Sequence, residues 1–314
     1  MSRCLISMEN CRSGEYTEKS LRRLNPKLRH LNVLNYNQNE QLRISRDQVD
    51  KISIQGVQPK YSVKLSVSTE SFELVEKYGT FILKPQNPEW QEFPENEAFT
   101  MYMAGLYGID VPLSGLIRCS DHSLSYFIKR FDRIGRNKKL HVEDFSQLAE
   151  LSRKTKYNYS LEKLIKLIEI YCTFPKIELA KLFRIFLFNF CFGNEDMHLK
   201  NYSIITNAKG FVQLSPCYDL LNTVAVYRFY NKDFKDIEQS ALSLNGKRKK
   251  IGLADFKTLA EKMSLQPKII DQAYKDLGHL LKQAENLLTL SFMSEEMQTS
   301  YREVLAKHSK ILFA

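Results

Sequence analysis

Gly193-Asn194-Glu195-Asp196-Met197-His198-Leu199-Lys200-Asn201 gathers acids, amides, an imidazole and an ammonium into one short polar segment, more chemistry than a connecting loop needs. It follows the strongly apolar run Ile185-Phe186-Leu187-Phe188-Asn189-Phe190-Cys191-Phe192, which reads as a buried helix stopped by Gly193. Beyond it, Tyr202-Ser203-Ile204-Ile205, a turn at Asn207-Ala208-Lys209-Gly210 and Phe211-Val212-Gln213-Leu214 predict a β-hairpin. A second acid, Asp219, stands just past the hairpin. A tight hairpin returns the chain close to where it left, so Asp219 is expected near Asp196 and Asn201.

A loop with an acid, an asparagine further along it, a hairpin and a second acid is the order of parts in a protein-kinase-like phosphotransferase. Asp196 and Asn201 meet the spacing D-x-x-x-x-N. In phosphoryl transfer, charge spreads over the γ-phosphoryl oxygens, so the protein must hold magnesium and phosphates and orient the attacking hydroxyl. An Asp and an Asn at this spacing are by themselves compatible with a polar loop and a helix cap. The hairpin and Asp219 favour the phosphotransferase reading.

Composition sets the outer bounds. A chain of 314 residues, 43% hydrophobic and 26% charged, is long enough for two lobes and ordinary for a soluble globular protein. No apolar run reaches membrane-spanning length, and Met1-Ser2-Arg3-Cys4 opens no signal peptide. Six scattered cysteines, among them Cys4 and Cys11, read as reduced thiols of an intracellular, cytoplasmic protein, with export to another cell left open. The net charge of +10 suits ATP, an acidic substrate or a nucleic-acid-bound partner, as well as plain solubility.

Residues 1–50 read as a polar, loosely structured lead-in with one short helix around Thr17 to Leu24. Alternation then predicts strands from Lys51 to Lys60 and from Tyr61 to Val67 around Gly56, where a loop over phosphates would lie. Thr80 to Pro85 predicts a strand that delivers Lys84, either an edge-strand lysine or one that holds ATP phosphates. A helix opening at Pro94-Glu95-Asn96-Glu97 supplies an acid to hold it, Glu97 in preference to Glu95. Strands are expected at Leu113 to Cys119 and Ser125 to Phe131, and a connector after Phe131. Helices are expected at Val142 to Leu151, Ser160 to Cys172, Lys176 to Phe192 and from Leu253 onward, including Lys268 to Leu290, with a short strand and basic turn at Ala241 to Lys250.

With these residues in view, the chain resembles the HipA family of bacterial toxin kinases from about Ile52 to the C-terminal helices. The similar stretches are Ile52 to Lys60, Phe81-Ile82-Leu83-Lys84, Ile128-Lys129-Arg130-Phe131-Asp132-Arg133, the D-x-H-x-K-N loop from Asn194 to Asn201, Ser215-Pro216-Cys217-Tyr218-Asp219 and Leu242 to Arg248. Full-length members carry an extra N-terminal subdomain before the Gly-containing loop. The lead-in here is too short for it, which makes the chain similar to the short HipT form, whose missing piece is a separate small protein.

The resemblance implies an α+β, bilobal protein-kinase-like fold, with a lead-in at 1–50, a β-rich N-lobe at 51–131 and a helical C-lobe at 132–314. It implies ATP and Mg2+ as cofactors, Asp196 as catalytic base and Asn201 and Asp219 as metal ligands. Around the nucleotide it places Lys84, Ser53, Gly56, Glu97, the backbones of Lys129 and Phe131, and Lys200, with His198 packing the loop. Ser53 is implied as an autophosphorylation site that switches the kinase off. The implied activity is a serine/threonine protein kinase toxin acting on a protein, an aminoacyl-tRNA synthetase by family analogy. The implied partners are a HipS-like small protein and a HipB-like DNA-binding antitoxin, with DNA reached only through the antitoxin and no membrane. Two rivals stand beside it: a small-molecule or lipid kinase of the same fold, and an inactive nucleotide-binding partner in a DNA-bound repressor complex.

Overall fold

Period-two alternation of side chains builds the sheet of the first unit. The computed structural model describes residues 2–49, 58–135, 138–150, 159–230 and 233–313. The chain divides into two compact units, Met1–Tyr102 with Pro112–Asn137 and Leu290–Met293, and Met103–Val111 with Lys138–Thr289 and Ser294–Ala314. In the first, β1 (Tyr61–Ser66), β2 (Ser71–Leu74), β3 (Phe81–Lys84), β4 (Ser114–Arg118) and β5 (Leu124–Lys129) form a five-stranded sheet in the order β2-β1-β3-β5-β4. Every pairing is antiparallel, with Phe81 opposite Lys129 and Lys84 opposite Tyr126. One face carries the ring cluster of Phe72, Phe81 and Phe127, with Phe72 centroids 5.0 and 5.2 Å from the other two. The opposite face presents Lys84 and Tyr126 to Glu97 on α3 (Phe93–Leu106). Cover on both faces is why β5 is buried along nearly its whole length rather than at alternate positions.

The lead-in is more ordered than expected. Besides α1 (Glu18–Leu24), capped by Thr17, it forms α2 (Gln38–Val49). That second helix has no apolar stripe to announce it, because its anchor is polar. The fully buried Gln41 accepts hydrogen bonds from Tyr61 Oη (3.0 Å) and Ser125 Oγ (2.8 Å) and donates to Cys119 Sγ (3.1 Å). Leu5 and Ile6 lie against β4: Leu116 N–H donates to Leu5 O at 2.8 Å, and a Cβ on Gly115 would stand 2.7 Å from Ile6 Cγ1. A side chain at Gly115 would therefore push the N-terminal segment off the sheet. The strand expected from Lys51 falls largely outside the described residues, and its last three residues, Gln58 to Lys60, are not strand.

The second unit is organised by α6 (Pro175–Cys191), which is buried on all sides over its second half and ends at Gly193 in a left-handed turn, φ +67°. Around it stand α5 (Leu161–Tyr171), α7 (Thr223–Phe229), α8 (Leu253–Lys262), α9 (Pro267–Leu288) and α10 (Glu295–Leu312). Aromatic rings join them: Phe186 and Phe190 meet Phe256 of α8 at 5.5 and 5.1 Å, and Phe192 meets Tyr301 of α10 at 6.4 Å. A three-stranded antiparallel sheet of β6 (Val142–Asp144), β7 (Ser203–Thr206) and β8 (Val212–Leu214) completes the unit.

The predicted hairpin is β7–β8, turned at Asn207 and Gly210. The helix predicted to begin at Val142 does not. Val142–Asp144 pairs with β7, and the Asp144 carboxylate, accepting from Gln147 N–H at 2.9 Å, caps a four-residue helix α4 (Phe145–Leu148). Apolar content there belongs to a strand edge and a single turn. The short strand expected within Ala241 to Lys250 is reduced to isolated bridges, Ser243 to Ser160 and Leu244 to Lys247.

Candidate active site

In the second unit, the polar loop after α6 is held by its own backbone. The carbonyl of Asp196 accepts from His198 N–H (2.8 Å) and from the Asn201 side-chain amide (3.1 Å), and His198 O accepts from Asn201 N–H (2.9 Å) as a short 3-10 turn, Leu199–Asn201, begins. Asp196 and Asn201 therefore stand on one closed turn. His198 is buried at 6% exposure, while Asp196, Lys200 and Asn201 are half-buried.

The return from the hairpin is fixed by one hydroxyl. Tyr218 Oη donates to Lys200 O at 3.0 Å and also meets Ser203 Oγ, so the residue before Asp219 is tied to the residue before Asn201. Upstream, Cys217 N–H donates to Asp110 O at 2.8 Å, which fixes the segment from its other side. Burial pushes the Tyr218 phenol well above its ordinary pKa, with the hydrogen bond to Ser203 opposing and Asp219 and Asp144 adding to the rise, so it acts as a neutral donor. Asp219 itself sits at φ +56°, a left-handed backbone that an aspartate tolerates.

Behind the loop stands the N-terminus of α7. Asn222 Oδ1 caps it by accepting from Ala225 N–H (2.8 Å), Thr223 Oγ1 accepts from Glu195 N–H (3.1 Å) and donates to Gly193 O (3.2 Å), and Val224 N–H donates to Gly193 O (3.1 Å). A Cβ on Gly193 would lie 2.4 Å from Asn222 Oδ1, so glycine is needed here for space as well as for its φ. The Glu195 carboxyl is pushed up to about 7 by burial and by the neighbouring Asp196.

In the first unit, Lys84 Nζ lies 2.6 Å from Glu97 Oε1, with both side chains shut off from water at 3% and 0% exposure, and the ammonium stands 5.5 Å from the Tyr126 ring centroid. Glu95 does something else: it takes two hydrogen bonds from Gln86 Nε2 (2.8 and 3.0 Å), and burial pushes its carboxyl up to about 7. At the end of β5, Lys129 N–H donates to Leu113 O at 2.8 Å, so that backbone group is already engaged. Its side chain is exposed, and Phe131 is half-buried two residues on. Ser53 and Gly56 lie outside the described residues.

Residues 52–284 match the model of the HipA-like C-terminal domain. The chain belongs to this family. Among HipA-like relatives, a Haemophilus influenzae protein named "Putative kinase" is 26% identical over 247 residues, 74% of this chain and 71% of that one. The Shewanella oneidensis serine/threonine-protein kinase toxin HipA is 26% identical over 191 residues, 55% of this chain but 43% of the toxin, so the match spans less than half of its length. The fold resembles that of HipA from a Shewanella oneidensis complex of HipA, HipB and operator DNA, at TM-score 0.66 and 19% identity, covering 91% of this chain and 73% of that one. It also resembles the Helicobacter pylori proinflammatory kinase CtkA, at TM-score 0.53 and 18% identity, covering 77% and 88%. The HipA-like chain thus has an α+β, protein-kinase-like fold. Among the described residues, no helix is long and apolar enough to cross a membrane.

Sequence reasoning passed over the support of the HipA-like loop. Asn222 and Thr223 carry the usual signature of a helix cap, but only the fold reveals that the helix they open is the one holding Gly193 and Glu195.

Proposed function

We propose that the protein is an ATP-dependent serine/threonine kinase of a HipA-type toxin–antitoxin system, passing the γ-phosphate of Mg-ATP to a protein hydroxyl and, in self-regulation, to Ser53. The observation that supports this reading is the hydrogen bond from the Tyr218 hydroxyl to Lys200 O, which ties the residue before Asp219 to the turn bearing Asp196 and Asn201. Kinase relatives within the family support ATP as the donor.

The residues fit magnesium. Asn201 commits its amide N–H to the Asp196 carbonyl, which turns Oδ1 the other way. With the Asp219 carboxylate it offers two hard oxygen donors, the small protein share that magnesium takes when phosphates and water supply the rest. Bound there, magnesium would neutralise charge on the β- and γ-phosphate oxygens. Asp196 orients the acceptor hydroxyl and takes its proton. Lys84, positioned by Glu97, holds α- and β-phosphate oxygens, while the Lys129 carbonyl and the Phe131 backbone meet adenine. The family resemblance assigns Ser53 and Gly56 to the nucleotide as well, and Lys200 adds positive charge, with His198 packing the loop that bears Asp196. On this reading residues 51–131 are the N-lobe and 132–314 the C-lobe of one kinase, behind a lead-in at 1–50.

The Shewanella HipA was solved with HipB and operator DNA, which supports a HipB-like antitoxin here, with DNA reached through it. The resemblance of Cys4 to Leu24 to the short HipT form extends the proposal to a HipS-like small partner. An aminoacyl-tRNA synthetase is the target that family analogy favours.

Incubating the purified chain with γ-labelled ATP and a bacterial lysate tests the reading. A labelled protein band that Asp196→Asn abolishes is expected. Label confined to small molecules or lipid would move the chain to the rival kinase class, and no transfer at all would leave an inactive nucleotide-binding protein.

A further inference from the structure

A cavity of about 390 Å³ opens on the second unit among residues 234–251, α7 and α10. Its floor is apolar, made by Val224, Ile237, Ile251 and Ile311, while four lysines, Lys235, Lys249, Lys250 and Lys307, stand on its wall against one acid, Glu238. Asp233 lies 3.4 Å from Lys235, and Glu238 lies 3.7 Å from Arg248, so the acids at hand offset only part of this charge. Phe234, also on the wall, has Lys307 Nζ 3.8 Å and Arg228 Cζ 4.6 Å from its ring centroid. The catalytic set of Lys84, Asp196, Asn201 and Asp219 contributes nothing to the lining.

His308 adds a polar side chain to the lining. It lines the wall at 3% exposure, and its Nδ1 lies 2.7 Å from Phe190 O. Burial pushes the imidazole down to about 4, so at neutral pH it carries one proton. A carbonyl only accepts, so that proton is on Nδ1, and Nε2 is an acceptor.

We propose that this cavity is a second ligand site, for an aromatic small molecule bearing a phosphate, of the size of a nucleoside monophosphate. The ring rests on the apolar floor beside Phe234, a ring N–H donates to His308 Nε2, and the phosphate meets the lysines. The volume falls near the lower end of the roughly 300–1,000 Å³ range of small-molecule pockets. Several ammonium groups around one mouth match a dianion with three acceptor oxygens better than a single carboxylate. Occupancy would also reach the kinase loop, since Val224 on the floor is the residue whose N–H holds Gly193 O.

The test is calorimetric titration of the full chain with GMP, UMP, guanosine, uridine and inorganic phosphate, with the kinase site filled by magnesium and a non-hydrolysable ATP analogue. A monophosphate should bind at one equivalent, at least tenfold more tightly than its nucleoside or inorganic phosphate. Lys249→Glu with Lys307→Glu should weaken it at least tenfold and leave analogue binding unchanged. Should that pair of changes unfold the chain, Lys250→Glu, at an exposed position, reads the same contact. The proposal is overturned by the absence of saturable monophosphate binding, by inorganic phosphate binding as tightly, or by indifference to these substitutions. Were the chain not to bind the analogue at all, the kinase reading would fail, and the same titrations without it would still decide this one.

Discussion

Lys84 and Glu97 are two charges taken out of water to meet at 2.6 Å, and a buried pair of this kind seldom improves stability over an apolar pair of the same volume. On the proposed function, its role is chemical. Glu97→Ala, which strands the ammonium, should cost about 3–5 kcal/mol in urea unfolding, whereas Lys84→Met with Glu97→Leu should restore most of that stability and still abolish transfer. A double variant no more stable than Glu97→Ala would show that the pair serves the fold. Glu195 makes an opposite kind of prediction. Its carboxyl is raised from 4.5 to about 7, so the native state binds the proton more tightly than the unfolded chain, and the stability this brings is complete below 4.5 and lost as pH rises to about 7. Glu195→Gln removes the cost of ionising beside Asp196. Compared with wild type, the variant should gain on the order of 2 kcal/mol between pH 4.5 and pH 8, and an equal difference at both pH values would refute the cause assigned.

Among the elements, α7 matters beyond its seven residues, because its first turn holds both Gly193 and Glu195. Asn222→Ala removes the cap and should cost about 0.5–2 kcal/mol, with transfer falling further than ATP affinity as the loop loosens. Transfer unchanged in a destabilised variant would separate the cap from the site. Elements were legible in the sequence where burial has a period. The hairpin β7–β8, α5 and α6 each declared themselves by apolar spacing and by a turn or cap at the end. Helix α2 did not, since it docks through Gln41 rather than through a stripe of leucines. Val142–Asp144 was misread as helix because the deciding fact, pairing with Ser203–Ile205, lies far along the chain.

At the scale of the whole molecule, the kinase-like fold could be read from the order of a few polar residues, and the HipA-like match over residues 52–284 agrees with it. The site was only partly legible. Spacing and order proposed Asp196, Asn201 and Asp219, but the Tyr218 hydroxyl that ties its own segment to Lys200 is a long-range contact that no local pattern encodes. The second cavity was invisible for the same reason: its lysines are dispersed from Lys235 to Lys307, and the sequence marked only the basic turn that ends at Lys250. The central claim is that Asp196 faces the acceptor while Asn201 and Asp219 hold the metal, and paired calorimetric ATP titrations of Asp196→Asn and Asp219→Asn, beside a transfer assay, test it most directly. The account predicts that Asp196→Asn keeps its ATP affinity while transfer falls by at least ~10²-fold, and that Asp219→Asn loses affinity and transfer together. Loss of ATP binding in Asp196→Asn as complete as in Asp219→Asn, or transfer that survives it, would contradict the account.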